Sequence, residues 1–303
     1  MSRAFAGCMM TSVGVDDLAL GQAVLADAVR AYRRALGERL VAAYALGSLA
    51  HGGFSALVSD VDLGLVLADP LDPSDAETIL RVCEAVKAGG SMLHERLSVF
   101  WGSPSTLSGR RVDGRFPPLD LLDLIQYGQL LSGEDARKDL TPPSRTDLTI
   151  AGAEFALGFL AGIGSAAALR STEVGSMRPA AHDAVEQLRH PEELLPRGVR
   201  HYTKLVLFPV RFLYTAETGL VGTNESAVEH YVADDRAPGT DLVAAALIWR
   251  SAPPDEAEAK VLLEREMIPL YLHYIDDHAA RLVGLGRQDL AAAFVEWRGR
   301  IVA

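Results

Sequence analysis

The sequence predicts an α+β fold, in which an N-terminal half of alternating strands and helices is followed by an all-helical bundle. Two observations carry this reading. Apolar, strand-like runs lie at 40–46, 60–67 and 92–101, and strand signals fade after residue 145. From there helical periodicity takes over, with the segments joined by Pro and Gly turns. At 303 residues and 49% hydrophobic, the chain can bury a large core in one or two domains. Thr141-Pro142-Pro143-Ser144-Arg145 is the expected linker, dividing residues 1–143 from 144–303.

Residues 16–36 have helical spacing, with Leu18, Val24, Leu25, Ala28, Val29, Tyr32 and Leu36 on one face and Asp16 or Asp17 placed as a cap. Strands are expected at 40–46 and 60–67, and Pro70 and Pro73 end the second of them. A helix at 76–87 ends at Gly89-Gly90, and a third strand at 92–101 ends at Gly102 and Pro104. Pro117-Pro118 opens a helix at 119–131. Further helices are expected at 151–170, 179–189, 200–218, 224–231, 240–249 and 254–284. The span 150–169 has the length of a membrane segment, but Glu154, Ser165 and its many small residues read as a buried helix.

Bulk properties narrow the functional classes. Net charge is −11 and no basic stripe is visible, which argues against a nucleic-acid partner. Cys8 and Cys83 are the only cysteines and build no disulfide framework. With no secretory signal, the expected location is the cytoplasm. The histidines are scattered without zinc-ligand spacing. Trp249, Tyr271 and Tyr274 read as core rather than as a base-stacking platform.

The chemistry concentrates in residues 46–67, L-G-S-L-A-H-G-G-F-S-A-L-V-S-D-V-D-L-G-L-V-L. A strand runs into Gly47-Ser48 and a small, Gly-rich turn, and Ser59-Asp60-Val61-Asp62 opens the next strand. Because side chains alternate along a strand, Asp60 and Asp62 share one face, roughly 7 Å apart. Two carboxylates entering an apolar strand are costly to bury without a cation. Mg²⁺ suits them, since it is commonly held by one or two carboxylates together with substrate phosphates. Gly47 lets backbone approach a phosphate closely, and Ser48 and Ser59 add hydroxyls as candidate nucleotide contacts.

This segment resembles the polymerase-beta-like nucleotidyltransferase superfamily, whose members carry a G-S turn followed by D-x-D. Within it, the chain is most similar to two-domain aminoglycoside adenylyltransferases of the streptomycin and spectinomycin type. Residues 119–135, L-D-L-L-D-L-I-Q-Y-G-Q-L-L-S-G-E-D, look like their helix closing the first domain. Residues 210–231, with R-x-x-Y-x-x-x-T-G from Arg211, look like a second-domain segment. The resemblance implies a mixed sheet with helices, then a helical acceptor-binding domain. It also implies Mg²⁺-dependent transfer of AMP from ATP, as co-substrate, to a hydroxyl of a small polar acceptor such as an aminoglycoside or aminocyclitol. The metal would sit on Asp60 and Asp62. The function would then be antibiotic resistance, with no membrane or nucleic-acid partner and the oligomeric state left open.

The chain departs from the family pattern in two places. A third carboxylate is expected on a later strand, and Ser98 stands there. Glu95 and, from the helical half, Asp183 beside Glu186 are the substitutes considered. The family's lysine after T-G is missing, with Thr223-Asn224 in its place, so phosphate contact would pass to Lys204 or Arg200. Two other functions share these residues: a protein AMP-transferase of the antitoxin type, and a nucleotide-binding module that has lost turnover. The long helical half disfavours the first, and the retained aspartates disfavour the second.

Overall fold

The computed structural model describes residues 15–163 and 184–303. Four strands form one mixed sheet: β1 (Leu40–Leu46), β2 (Val61–Leu67), β3 (Leu97–Gly102) and β4 (Gln129–Gly133), in the order β3-β2-β1-β4. β1 runs antiparallel to β2 and β4, while β2 and β3 are parallel. The parallel pair needs a long crossover, supplied by the helix Pro73–Ala88. That helix starts sharply because the Asp72 carboxylate accepts the Ser74 N–H while the Asp75 carboxylate accepts the Asp72 N–H.

Strand parity sorts the side chains. Ala43, Ala45, Leu63, Leu65, Val99 and Trp101 pack against the N-terminal helix Val15–Leu36 and the crossover helix. Tyr44, Leu46, Val66 and Phe100 face the other way, where Leu124 of the helix Pro118–Tyr127 covers them. Asp62 has the parity of Val66, so it emerges on the face that this second helix covers.

The helix expected at 151–170 runs instead from Arg145 to Phe159, Gln288–Val302 is a helix that the sequence reading did not place, and two elements of the N-terminal half differ as well. Met92–Glu95 forms a single helical turn after Ser91, so β3 begins at Leu97 and Glu95 lies outside the strand. The helix expected at 119–131 stops at Tyr127, and Gln129–Gly133 becomes an edge strand on β1. Gly128 and Gly133 allow this. A Cβ at Gly133, where φ is +87°, would lie 1.9 Å from the Val41 carbonyl oxygen. Half-exposed Leu130 and Leu131 read as helix by hydrophobicity alone, since pairing with β1 is a long-range contact.

The helical half opens at Ser144, whose hydroxyl accepts the Asp147 N–H at the head of Arg145–Phe159. Among the described residues Val199–Thr218, Asn224–Val232, Thr240–Trp249, Glu256–Gly284 and Gln288–Val302 follow, with the shorter Ala184–Arg189 before them. Their shared core holds Trp249, Tyr271, Tyr274, Phe294 and Trp297, all buried. Among the described residues, no helix is long and apolar enough to cross a membrane.

Candidate functional site

A cavity of about 460 Å³ opens where the end of the sheet meets the helical half. Gly47, Ser48, Ser59, Asp60, Asp62 and Ser98 line its sheet side. Asp120 and Asp123 come from the helix Pro118–Tyr127, and Lys204, Arg211 and Arg250 from the helical half. The two halves are tied beside it. The Ser55 hydroxyl donates to the Arg250 carbonyl at 2.6 Å, and the Arg250 guanidinium donates to the Gly53 carbonyl at 2.9 Å.

Each aspartate has its own environment. Asp60 accepts from both Arg200 and Lys204. Burial acts to raise its carboxyl, but the neighbouring ammonium and guanidinium outweigh this and hold it below the ordinary carboxylate value. Asp62 is pushed up to about 8, first by burial and then by the charges of Asp60 and Asp120. Asp120 is raised to about 7, mainly by burial, against the pull of Arg115. Asp123 is raised by burial too; its Oδ2 accepts the Gly47 N–H at 2.5 Å, and its buried Oδ1 has no hydrogen-bond partner among the described residues.

Gly47 is the point of closest approach. Its φ is +61°, and a Cβ there would lie 2.3 Å from the Asp62 carboxylate. Its N–H is engaged by Asp123, so close approach rather than donation to a phosphate is what glycine provides here. Ser59 is similarly occupied: its hydroxyl accepts the Ser55 N–H and faces the Arg250 guanidinium at 3.2 Å. His51, lowered to about 4 by burial and then by Arg211, stays neutral at physiological pH.

Lys204 and Arg200, the expected phosphate contacts, are both ion-paired with Asp60. Ser98 pairs in register with Asp62 on the parallel strand. Glu95 is exposed at the end of its helical turn and does not line the cavity. Asp183 lies outside the described residues. Sequence reasoning quotes Asp120, Asp123 and Arg211 within motifs but assigns none of them, nor Arg115 or Arg250, to the site. The signal available is Asp120 and Asp123 three apart on a helix opened by Pro117-Pro118, which places both carboxylates on one face.

Mg²⁺ fits these donors. The carboxylates are hard oxygen ligands, and three of them crowd Asp62 closely enough to raise it. Among the described residues no three His, Cys, Asp or Glu side chains form a complete metal cage. An ion here would therefore be finished by substrate phosphates and water, the coordination Mg²⁺ commonly keeps.

Asp62 makes stability depend on pH. Its folded value lies above the unfolded 3.8, so its contribution is fully present below that value and is lost as pH rises through about 8. In metal-free buffer, Asp62→Asn is expected to melt ~2–4 °C or more above wild type at pH 8.5, the equivalent of about 1 kcal/mol, and close to wild type at pH 4. Melting curves offset equally at both pH values would contradict it.

The mixed sheet followed by helices is a nucleotidyltransferase-like fold. It is similar to the crystal structure of spectinomycin adenyltransferase AAD(9) from Enterococcus faecialis, determined with ATP and spectinomycin. The TM-score is 0.53 at 12% identity, over 82% of this chain and 98% of that one. By sequence, no family model and no curated protein matches.

Proposed function

We propose that the protein is a Mg²⁺-dependent nucleotidyltransferase that moves AMP from ATP to a hydroxyl of a small acceptor. The observation that carries this is the convergence of Asp60 and Asp62 on one cavity, with Gly47 packed against Asp62 and Lys204 and Arg200 against Asp60. Asp60 and Asp62 would hold the metal, which when bound neutralises the triphosphate and stabilises the departing pyrophosphate. Lys204 and Arg200, already at Asp60, are placed to turn toward phosphate oxygens. The acceptor hydroxyl attacks the α-phosphorus, a new O–P bond forms, and the bond to the bridging oxygen breaks as pyrophosphate leaves.

The acceptor proton needs a base, and Ser98 cannot serve. Asp120 is the better candidate because it lines the cavity and its value of about 7 sits near working pH. Asp120→Asn is expected to lower kcat about 10²-fold with little change in KM for ATP, in the range of a lost general base. Ser98→Ala is expected to cost less than about tenfold, or 1.4 kcal/mol of barrier. Steady-state kinetics on both variants checks the pair, and the reverse ranking would return the role to β3.

The decisive test of the activity is incubation with ATP, Mg²⁺ and a panel of hydroxylated small molecules and proteins. Mass spectrometry should find a product heavier by one AMP. Nucleotide binding without any product would favour the non-catalytic reading, and an adenylylated protein would favour the protein acceptor.

A further inference from the structure

The helical wall of the cavity has a chemistry of its own. Phe155 and Phe159 from Arg145–Phe159, and Phe208 and Phe212 from Val199–Thr218, all line it. Their rings form one continuous group. Phe155 stands 5.3, 5.4 and 5.7 Å from Phe159, Phe208 and Phe212, and Phe208 lies 5.5 Å from Phe159. Helical spacing explains the pattern: 155 and 159, like 208 and 212, are one turn apart and present the same face. Phe155 and Phe208 stay partly exposed at the cavity, so the wall is apolar surface that a bound molecule can cover.

The charges on this wall run against a polycation. Among the described residues, its one carboxylate is Glu154, which is exposed and 3.5 Å from Arg287. Lys204, Arg211 and Arg250 bring three cations to the same wall. A molecule with several ammonium groups would have the aspartates and the ion-paired Glu154 to pair with, and the metal would compete for the aspartates. Adenine cannot be sandwiched between the two stacked rings. Phe208 and Phe212 are nearly parallel, at 6°, but their centroids are 5.8 Å apart, too close to admit a purine between them.

Resting on the nucleotidyltransferase reading, we propose that the four phenylalanines form the acceptor subsite, and that the acceptor is a hydroxylated molecule with a flat, apolar, ring-bearing body and no more than one positive charge. Its ring system lies on Phe155 and Phe208 while its hydroxyl points toward Asp62 and Asp120. The three cations on the same wall oppose a polycationic acceptor.

The test separates binding from turnover. 4-Methylumbelliferone and 1-naphthol serve as fluorescent hydroxylated probes, titrated into wild type, Phe208→Ala and Phe208→Leu. Circular dichroism and melting curves establish that each variant is folded. Wild type should bind both probes, and Phe208→Ala should bind them about tenfold more weakly, the scale of losing one buried phenyl contact. Phe208→Leu, which keeps apolar bulk, should fall between. Kanamycin should not displace either probe, and KM for ATP should not change in the phenylalanine variants.

Failure of both probes to bind wild type would overturn the proposal. So would displacement by kanamycin, or a Phe208→Ala effect on ATP alone, which would assign the wall to adenine. If the phenylalanine wall binds the probes but no adenylylated product forms with any acceptor, the reaction assignment fails and the subsite stands.

Discussion

Asp62→Ala is expected to lower adenylyl transfer by about 10³-fold or more while leaving the chain folded, because a bound metal contributes several kcal/mol to the transition state. Stability should hold or rise, since the carboxyl removed is raised to about 8 by its surroundings. Asp60→Ala should be as inactive but less stable. It removes a partner shared by Arg200 and Lys204, and losing hydrogen bonds between charged groups costs ~1.5–3 kcal/mol. Mg²⁺-ATP titration, transfer assays and urea unfolding on both variants give three readouts. Wild-type turnover in Asp62→Ala would remove it from the metal site.

Gly47→Val is expected to abolish transfer and to destabilise the fold by about 3 kcal/mol or more. Two causes add: the positive φ of +61°, and a Cβ that would sit 2.3 Å from the Asp62 carboxylate. Gly37 separates them. Its φ is +55°, but nothing lies within 4 Å of a Cβ placed there. Gly37→Val should therefore carry the backbone cost alone, about 1–2 kcal/mol, with transfer unchanged. Equal losses of stability and activity in both variants would mean that the contact with Asp62 has no special part.

Much of this is legible in the chain. The strands at 40–46 and 61–67 are apolar runs of strand length bounded by glycine and polar turns, and the helices at 224, 240 and 256 begin within a few residues of where periodicity and caps place them. The G-S turn and the D-x-D pair mark the cavity because their chemistry lies in adjacent segments. β4 is not legible, since Leu130 and Leu131 continue the pattern of the preceding helix and only pairing with β1 makes them extended. The start of β3 is obscured for a local reason: Ser91 and His94 close a helical turn that hydrophobicity alone does not show.

By itself the sequence determined the order of an α/β half and then a helical half, because that follows from short-range periodicity; it also set Asp60 and Asp62 two residues apart, although β2 begins at Val61 and Asp60 lies just before the strand. Tertiary structure decided the rest of the cavity. Asp120 and Asp123 meet Asp62 only when the helix Pro118–Tyr127 lies across the sheet. Arg200 and Lys204 reach Asp60 across 140 and 144 residues of chain. The four phenylalanines become one wall only when two helices that are remote in sequence pack side by side. Such long-range contacts leave no periodic trace in the sequence, since each depends on how separately formed elements dock.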